Sequence, residues 1–396
     1  MKVTLRLKLS CSTQAAQALR ETTAQYTDAF NRAAKTGWDN HTTNGMKIHS
    51  FNYTNERTQT KLPSQLICSA FSKAGEALSS VKALQAKRDA RLKKNPKLKP
   101  KTFKCPRSKL QAVRFDGKRA SMVKLKEGWA TLSSVEGRQE VGFKLPANFN
   151  RYAEWKVCSS DLVWGERDRL FLHVVLEGNG RPFVPSGLVV GVDLGICRPA
   201  VMSSADGKFN RFLGDKRWAD TERKMLEHRR VLQRKGTKPA KRMLKKLGRK
   251  VNRFREECDH VLSRRIVDSV PTGTTLALEN LKDIRERCGI GKGRLQNGRM
   301  HRWSFDRLFG FVAYKGELAG LKVEKIDPRH TSQRCSKCGD TRKTNRKSQC
   351  RFECHACLLS LNADLNGARN IARKLAVAGM PATVGRLSTG PMSPAV

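Results

Sequence analysis

Acidic residues are scarce in this chain of 396 residues: 35 Asp and Glu stand against 79 Lys and Arg, a formal net charge of +44. Self-repulsion on that scale disfavours a compact state unless a polyanion neutralises it. Nucleic acid is the partner that such a composition fits, and a plain basic binding protein is the simplest form of that reading. Long apolar runs are also missing, none approaching the ~20 residues that a membrane span needs, so no membrane partner is expected. The opening stretch MKVTLRLKLS alternates polar and apolar residues and has no signal-peptide core. A disulfide rhythm is absent: Cys11, Cys68, Cys105, Cys158, Cys197, Cys258, Cys288 and Cys350 are scattered, which suits a reducing cytoplasm. No GxxxxGK[ST] loop argues for a P-loop ATPase, and no Ser-His-Asp or Cys-His arrangement for nucleophilic catalysis.

What is present is most concentrated near the C-terminus. Cys335, Cys338, Cys354 and Cys357 are spaced C-x2-C-x15-C-x2-C. Two close pairs, each on its own tight turn, can converge on one zinc ion as four thiolates. Cys350 and His355 are the only rivals nearby, and His355 lies inside a C-x-x-C turn where its side chain should point outward. Such an ion contributes on the order of 10–16 kcal/mol to a knuckle too small for its own core.

Upstream, Val3, Leu5, Leu7 and Leu9 alternate with polar residues as in a half-buried strand. Ser12 can cap a helix ending at Gly37, residues 38–60 read as polar loop, and a second long helix begins near Pro63. From 87 to 109 eleven Lys or Arg face one acid, Asp89, and three prolines interrupt the run. That is a solvated linker or an arm that tracks phosphates. Short alternating runs between 111 and 178, split by turn residues, predict an antiparallel sheet or small barrel that the first strand completes.

Three carboxylates carry the candidate chemistry. Asp193 ends the buried strand LVVGVD, Glu279 ends the buried strand TLALE, and Asp364 opens a helix in NADLNGARNI. An acid closing an apolar strand is costly unless a cation or hydrogen-bond donor meets it. Each alone has a plain structural explanation, and GVDLG by itself also fits an actin-like ATPase. Together they suit a two-metal phosphodiesterase in which Asp193 bridges two Mg²⁺ ions and Glu279 and Asp364 each hold one.

The segments GVDLG, ALENL, DPRHTSQRC-x-x-CG, the second C-x-x-C and DLNGARNI resemble the TnpB family of transposon-encoded RNA-guided nucleases, related to the type V CRISPR effectors. The resemblance is strong over 187–374 and looser at the start. It implies a multidomain α+β fold. A β-barrel wedge domain is expected at 1–12 and 110–184, with a helical recognition domain and basic arm inserted at 13–109. A RuvC-like nuclease domain of RNase H fold is expected at 185–330 and 361–376, a zinc ribbon at 331–360, and a disordered tail at 377–396. It also implies that Asp193, Glu279 and Asp364 are the catalytic set, with structural Zn²⁺, two Mg²⁺, a guide RNA and a double-stranded DNA target. The basic arm and the charged helical pair at 216–255 would contact RNA or heteroduplex. The insert at 282–300, with Lys282, Arg285, Arg287, Lys292, Arg294 and Arg299, is either a lid or a loop. Asn362 stands where many relatives have an acid. A catalytically silent repressor of the same fold and a compact type V effector remain as alternatives, and the oligomeric state is open, a monomer included.

Overall fold

A computed structural model describes residues 1–396 apart from 97, 117–119, 196–197, 282–304 and 379–396. The insert expected at 282–300 and nearly all of the expected tail therefore lie outside the described residues. The chain forms two compact units, Met1–Gly178 and Asn179–Val396. Among the described residues no helix is long and apolar enough to cross a membrane.

The first unit is a seven-stranded antiparallel sheet nearly closed into a barrel, with three helices inserted after its first strand. That strand, β1 (Lys2–Ser10), buries Leu5, Leu7 and Leu9, as its alternation predicts. Then come α1 (Thr13–Asp39), α2 (Gly45–Gln59) and α3 (Ser64–Lys94). The remaining strands are β2 (Val113–Asp116), β3 (Ser121–Lys124), β4 (Trp129–Ser134), β5 (Gly137–Phe143), β6 (Lys156–Trp164) and β7 (Leu170–Glu177), in the order β2-β6-β7-β1-β5-β4-β3. β1 is the corner: it pairs with β7 from Lys2↔Glu177 to Lys8↔Phe171, then passes to β5 at Leu9↔Phe143 and Ser10↔Gly142. Near the two edges, the Ser121 and Ser160 hydroxyls meet at 3.2 Å.

Ser12 caps α1 by accepting from the Ala15 N–H, so the sequence signal for that start is correct. The polar stretch read as loop is in part a helix. Asn44, a loop-like residue, is its cap through the Met46 N–H. Ile48 is fully buried, and the buried Glu56 pairs with Arg32 of α1. Ile48 is the one buried apolar residue of α2, too little periodicity to read from sequence. The basic arm is likewise helix up to Lys94. Lys73 anchors α3 to the barrel, donating to the Ala112 carbonyl at 2.8 Å and pairing with Asp161 at 3.1 Å.

In the second unit, β8 (Val189–Asp193), β9 (Ala200–Ser204), β10 (Asn210–Leu213), β11 (Thr275–Glu279) and β12 (Lys322–Ile326) form a sheet ordered β10-β9-β8-β11-β12. β8, β11 and β12 run parallel, while β9 and β10 turn back antiparallel. The β9–β10 hairpin went unread in the sequence. Its five β9 residues are all buried, so no alternation betrays them.

The helices are α4 (Lys216–Lys235), α5 (Lys238–Asp268), α6 (Phe305–Leu318) and α7 (Ala363–Ala378). Asp215 and Thr237 cap α4 and α5, and Gly236 between them takes the left-handed φ of 63° that ends α4. Leu262, Ile266 and Val267 of α5 and Leu308 and Val312 of α6 share one core with Val190, Val192, Leu276 and Leu278. Ile371 and the half-buried Leu375 of α7 pack with Ala277 and Ile326 in another.

α7 and β8 meet closely: a Cβ on Gly191 would lie 2.1 Å from the Ala368 carbonyl oxygen and 2.5 Å from the Ala372 nitrogen. Gly191→Ala is therefore expected to destabilise the second unit by about 1–3 kcal/mol through overpacking. Gly248→Ala, in α5 with open space around it, should instead stabilise by about 0.5–1 kcal/mol by removing a helical glycine. Paired thermal melts give opposite signs if this packing is correct.

Lys315 of α6 donates to the His260 carbonyl and the Ser263 hydroxyl of α5, each at 2.7 Å. Burial pushes its ammonium down to about 8, and Arg264 adds to the effect. The folded state thus sheds this proton before the unfolded chain, whose lysine titrates at its ordinary 10.5. Stability should rise as pH climbs from about 8 towards 10.5. Melting temperatures across that window should show the rise in the parent and a smaller one in Lys315→Met.

Candidate functional site

The carboxylates singled out in the sequence come together at one end of the second sheet. β8 and β11 are parallel neighbours with Leu278 opposite Val192, so Asp193 and Glu279 leave adjacent strand ends side by side. Asp364 lies in the first turn of α7, the helix packed on β8. One turn further along, a Cβ on Gly367 would be 2.7 Å from Asp193 Oδ2, so only a glycine lets the helix pass this close to the carboxylate.

Burial pushes the Asp193 carboxyl well above the usual carboxylate range, Glu279 and Asp364 push it further, and Arg346 draws it back. Burial raises Glu279 too, against a hydrogen bond from Thr331 and the charges of Lys374 and Arg346. Asp364 is raised by burial and countered by Arg346, its ion-pair partner at 3.3 Å, and by Arg198. Enclosed like charges resist ionising together unless a cation joins them. An all-oxygen donor set of this kind is the chemistry that a hard divalent cation relieves.

Asn362, where many relatives were expected to have an acid, has a local role. Its Oδ1 accepts from the Asp364 and Leu365 N–H groups, so it caps the helix that presents Asp364. A short side chain that accepts here is what a helix start needs, and an aspartate would do the same.

The four cysteines form a second centre. Their sulfurs all lie within 4.8 Å of one another, with Cys335–Cys357 at 3.6 Å and Cys338–Cys354 at 3.5 Å. Tetrahedral Zn–S bonds of about 2.3 Å put sulfurs about 3.8 Å apart, so the cage matches that ion. Burial opposes ionisation of Cys354, but N–H groups from Cys357 and Ala356 and neighbouring thiols outweigh it and bring it down to about 7. His355 is turned away, its Nε2 3.0 Å from Lys347 Nζ, and Cys350 is exposed outside the cage.

The chain is similar to known proteins over much of its length. One family model, described as a probable transposase, matches residues 173–285, and another, the Cas12f1-like TNB domain, matches 305–371. A TnpB-like protein of Methanocaldococcus jannaschii is 29% identical over 135 residues, 34% of this chain and 48% of that protein. The chain is similar to TnpB-like proteins over that stretch. A CRISPR-associated endodeoxyribonuclease, Cas12f1 of Sulfoacidibacillus thermotolerans, is 34% identical over 235 residues, 55% of this chain and 54% of that protein. The chain thus spans about half the length of these curated proteins. A solved Cas12f1–sgRNA–target DNA complex shares its fold, with a TM-score of 0.65 at 15% identity, covering 91% of this chain and 83% of that one.

Sequence reading missed the residues that tune these carboxylates. Arg346 is one of several basic residues in the ribbon, and Thr331 is one of many threonines. Only the fold brings them to Asp364 and Glu279. Elemental analysis of the purified protein is expected to find one zinc per chain. Stripping it with a strong chelator, or Cys354→Ser, should remove a contribution on the order of 10 kcal/mol from the ribbon. Limited proteolysis should then cut between 335 and 357 first.

Proposed function

We propose that this chain is an RNA-guided, Mg²⁺-dependent DNA endonuclease whose catalytic residues are Asp193, Glu279 and Asp364. The observation that carries the reading is the meeting of three carboxylates, from two parallel strand ends and one helix start, in which Glu279 and Asp364 add to burial in raising Asp193 above the usual carboxylate range. The sheet order, with an antiparallel hairpin beside parallel strands and helices on both faces, suits a RuvC-like domain of RNase H type. The nearly closed sheet of the first unit suits a wedge, and α1–α3 a recognition insert. The relatives carry endodeoxyribonuclease and TnpB names, and the solved neighbour holds guide RNA and target DNA.

Asp193, Glu279 and Asp364 would hold the divalent cations, which would supply activation of the attacking water and stabilisation of the leaving oxygen. Arg346 faces Asp364 from the ribbon side and offsets negative charge in the pocket when no ion is present. Sequence choice falls to base pairing by the RNA, while the basic protein holds the duplex by its backbone and shape.

The decisive experiment is cleavage of a matched plasmid by the protein copurified with its RNA, in Mg²⁺. Asp193→Ala, Glu279→Ala and Asp364→Ala should each lower the rate at least about a thousand-fold, several kcal/mol of barrier. RNA and DNA binding should persist, weakening steeply with salt at a log–log slope of about 0.9 per neutralised duplex phosphate. Binding without product in the parent would mark a silent repressor instead.

A further inference from the structure

α7 has two working faces. One is apolar and lies on the sheet through Ala368, Ile371 and Ala372. The other carries two asparagines one turn apart, Asn366 and Asn370, with 0% and 3% exposure. A buried amide left without partners is costly, so what these two hold is informative. Neither turns to the sheet. Asn366 accepts from the Ser336 N–H at 2.9 Å and donates to the Arg334 carbonyl at 2.8 Å. Asn370 donates to the Thr331 carbonyl at 2.8 Å and to the same Arg334 carbonyl at 2.6 Å.

The segment so gripped runs from 331 to 336. At its far end is the zinc ligand Cys335, whose N–H donates to the Asp340 carbonyl inside the ribbon turn. At its near end is Thr331, 4% exposed, whose hydroxyl lies within hydrogen-bond reach of Glu279 Oε1 and of the Pro328 carbonyl. One helix therefore presents Asp364 at its first turn and fixes, by two side-chain amides, the backbone that delivers a hydroxyl to Glu279. The ribbon returns the favour through Arg346, which reaches Asp364.

We infer that Thr331, set in place by Asn370 and Asn366, is a positioning residue for Glu279, and that the 331–336 segment makes the geometry of the carboxylates depend on the seating of the ribbon. The inference rests on the nuclease reading for its consequence in cleavage, but the geometry concerns Glu279 as a cation ligand and is testable without any turnover. The chemistry is simple. A hydroxyl that donates to one carboxylate oxygen fixes the plane of the carboxylate and leaves the other oxygen free for a cation, which favours the charged form. Asn370 holds the Thr331 carbonyl itself, and both amides hold the Arg334 carbonyl three residues on, which leaves the backbone between them little freedom. The apolar contacts of α7 would keep the helix on the sheet without either asparagine. Their loss should therefore displace the 331–336 segment rather than unfold the unit.

The test uses full-length protein with its RNA and three variants: Thr331→Val, isosteric without the hydroxyl; Thr331→Ser, which keeps it; and Asn370→Leu, which releases the backbone. Mn²⁺ serves as the probe, its binding followed by electron paramagnetic resonance alongside the Mg²⁺ dependence of plasmid cleavage. Loss of an outer hydrogen-bond partner of a metal ligand costs about 10–100-fold in affinity or activity, and Thr331→Val and Asn370→Leu are expected to show that loss in both readouts. Thr331→Ser should restore both to within about three-fold, well inside that range. Zinc content and RNA binding should stay at parental levels in all three. Thr331→Val that binds Mn²⁺ as tightly as the parent overturns the inference, whatever the cleavage result. A parent that binds Mn²⁺ but never cuts, with Thr331→Val binding more weakly, overturns the nuclease reading and leaves the positioning role standing.

Discussion

Repulsion among three carboxylates is the constraint around which the second unit is built. Asp193 is enclosed beside Glu279 and Asp364, and burial and like charge act on it in the same direction. No fold places such groups together for stability, because an uncompensated buried charge is among the costliest features a protein can hold. The neighbours that mitigate the repulsion come from different parts of the chain: Arg198 after β8, Arg346 from the ribbon, Thr331 from the segment leading into it, Lys374 from further along α7. The carboxylates therefore tie strand ends, helix and ribbon into one electrostatic unit.

Glycine is what lets that unit close. Gly191 admits the α7 backbone to within ordinary side-chain distance of β8, and Gly367 keeps the helix clear of the Asp193 carboxylate. With a larger residue at either place, the helix would stand off and Asp364 with it. Packing and chemistry are thus one requirement here, met by absence of a side chain at two positions.

Much of this could be read from the sequence, and the reasons for what could not are physical. β1 and the strands of the first unit alternate cleanly because one face is buried and the other wet. The strands carrying Asp193 and Glu279 stand out as short apolar runs ending in an acid, and the four cysteines by spacing alone. α2 was hidden because it buries a single apolar residue, Ile48, and its other buried residue is the charged Glu56. β9 was hidden for the opposite reason, being buried on both faces and so without a period to detect. Arg346 and Thr331 could not be found because their meaning is wholly three-dimensional. Nothing in the local sequence sets them apart from their neighbours.

The corner strand of the barrel has a consequence for synthesis. β1 pairs with β5 at Phe143 and with β7 up to Glu177, so it leaves the ribosome long before either partner exists. At about 5–20 residues per second, its two edges wait unpaired for roughly ten to thirty seconds. Lys2, Arg6 and Lys8, on its solvent side, are the charges that keep a lone strand from pairing with another chain. The three helices between β1 and β2 are synthesised during that interval. The barrel therefore cannot close until its insert has been made.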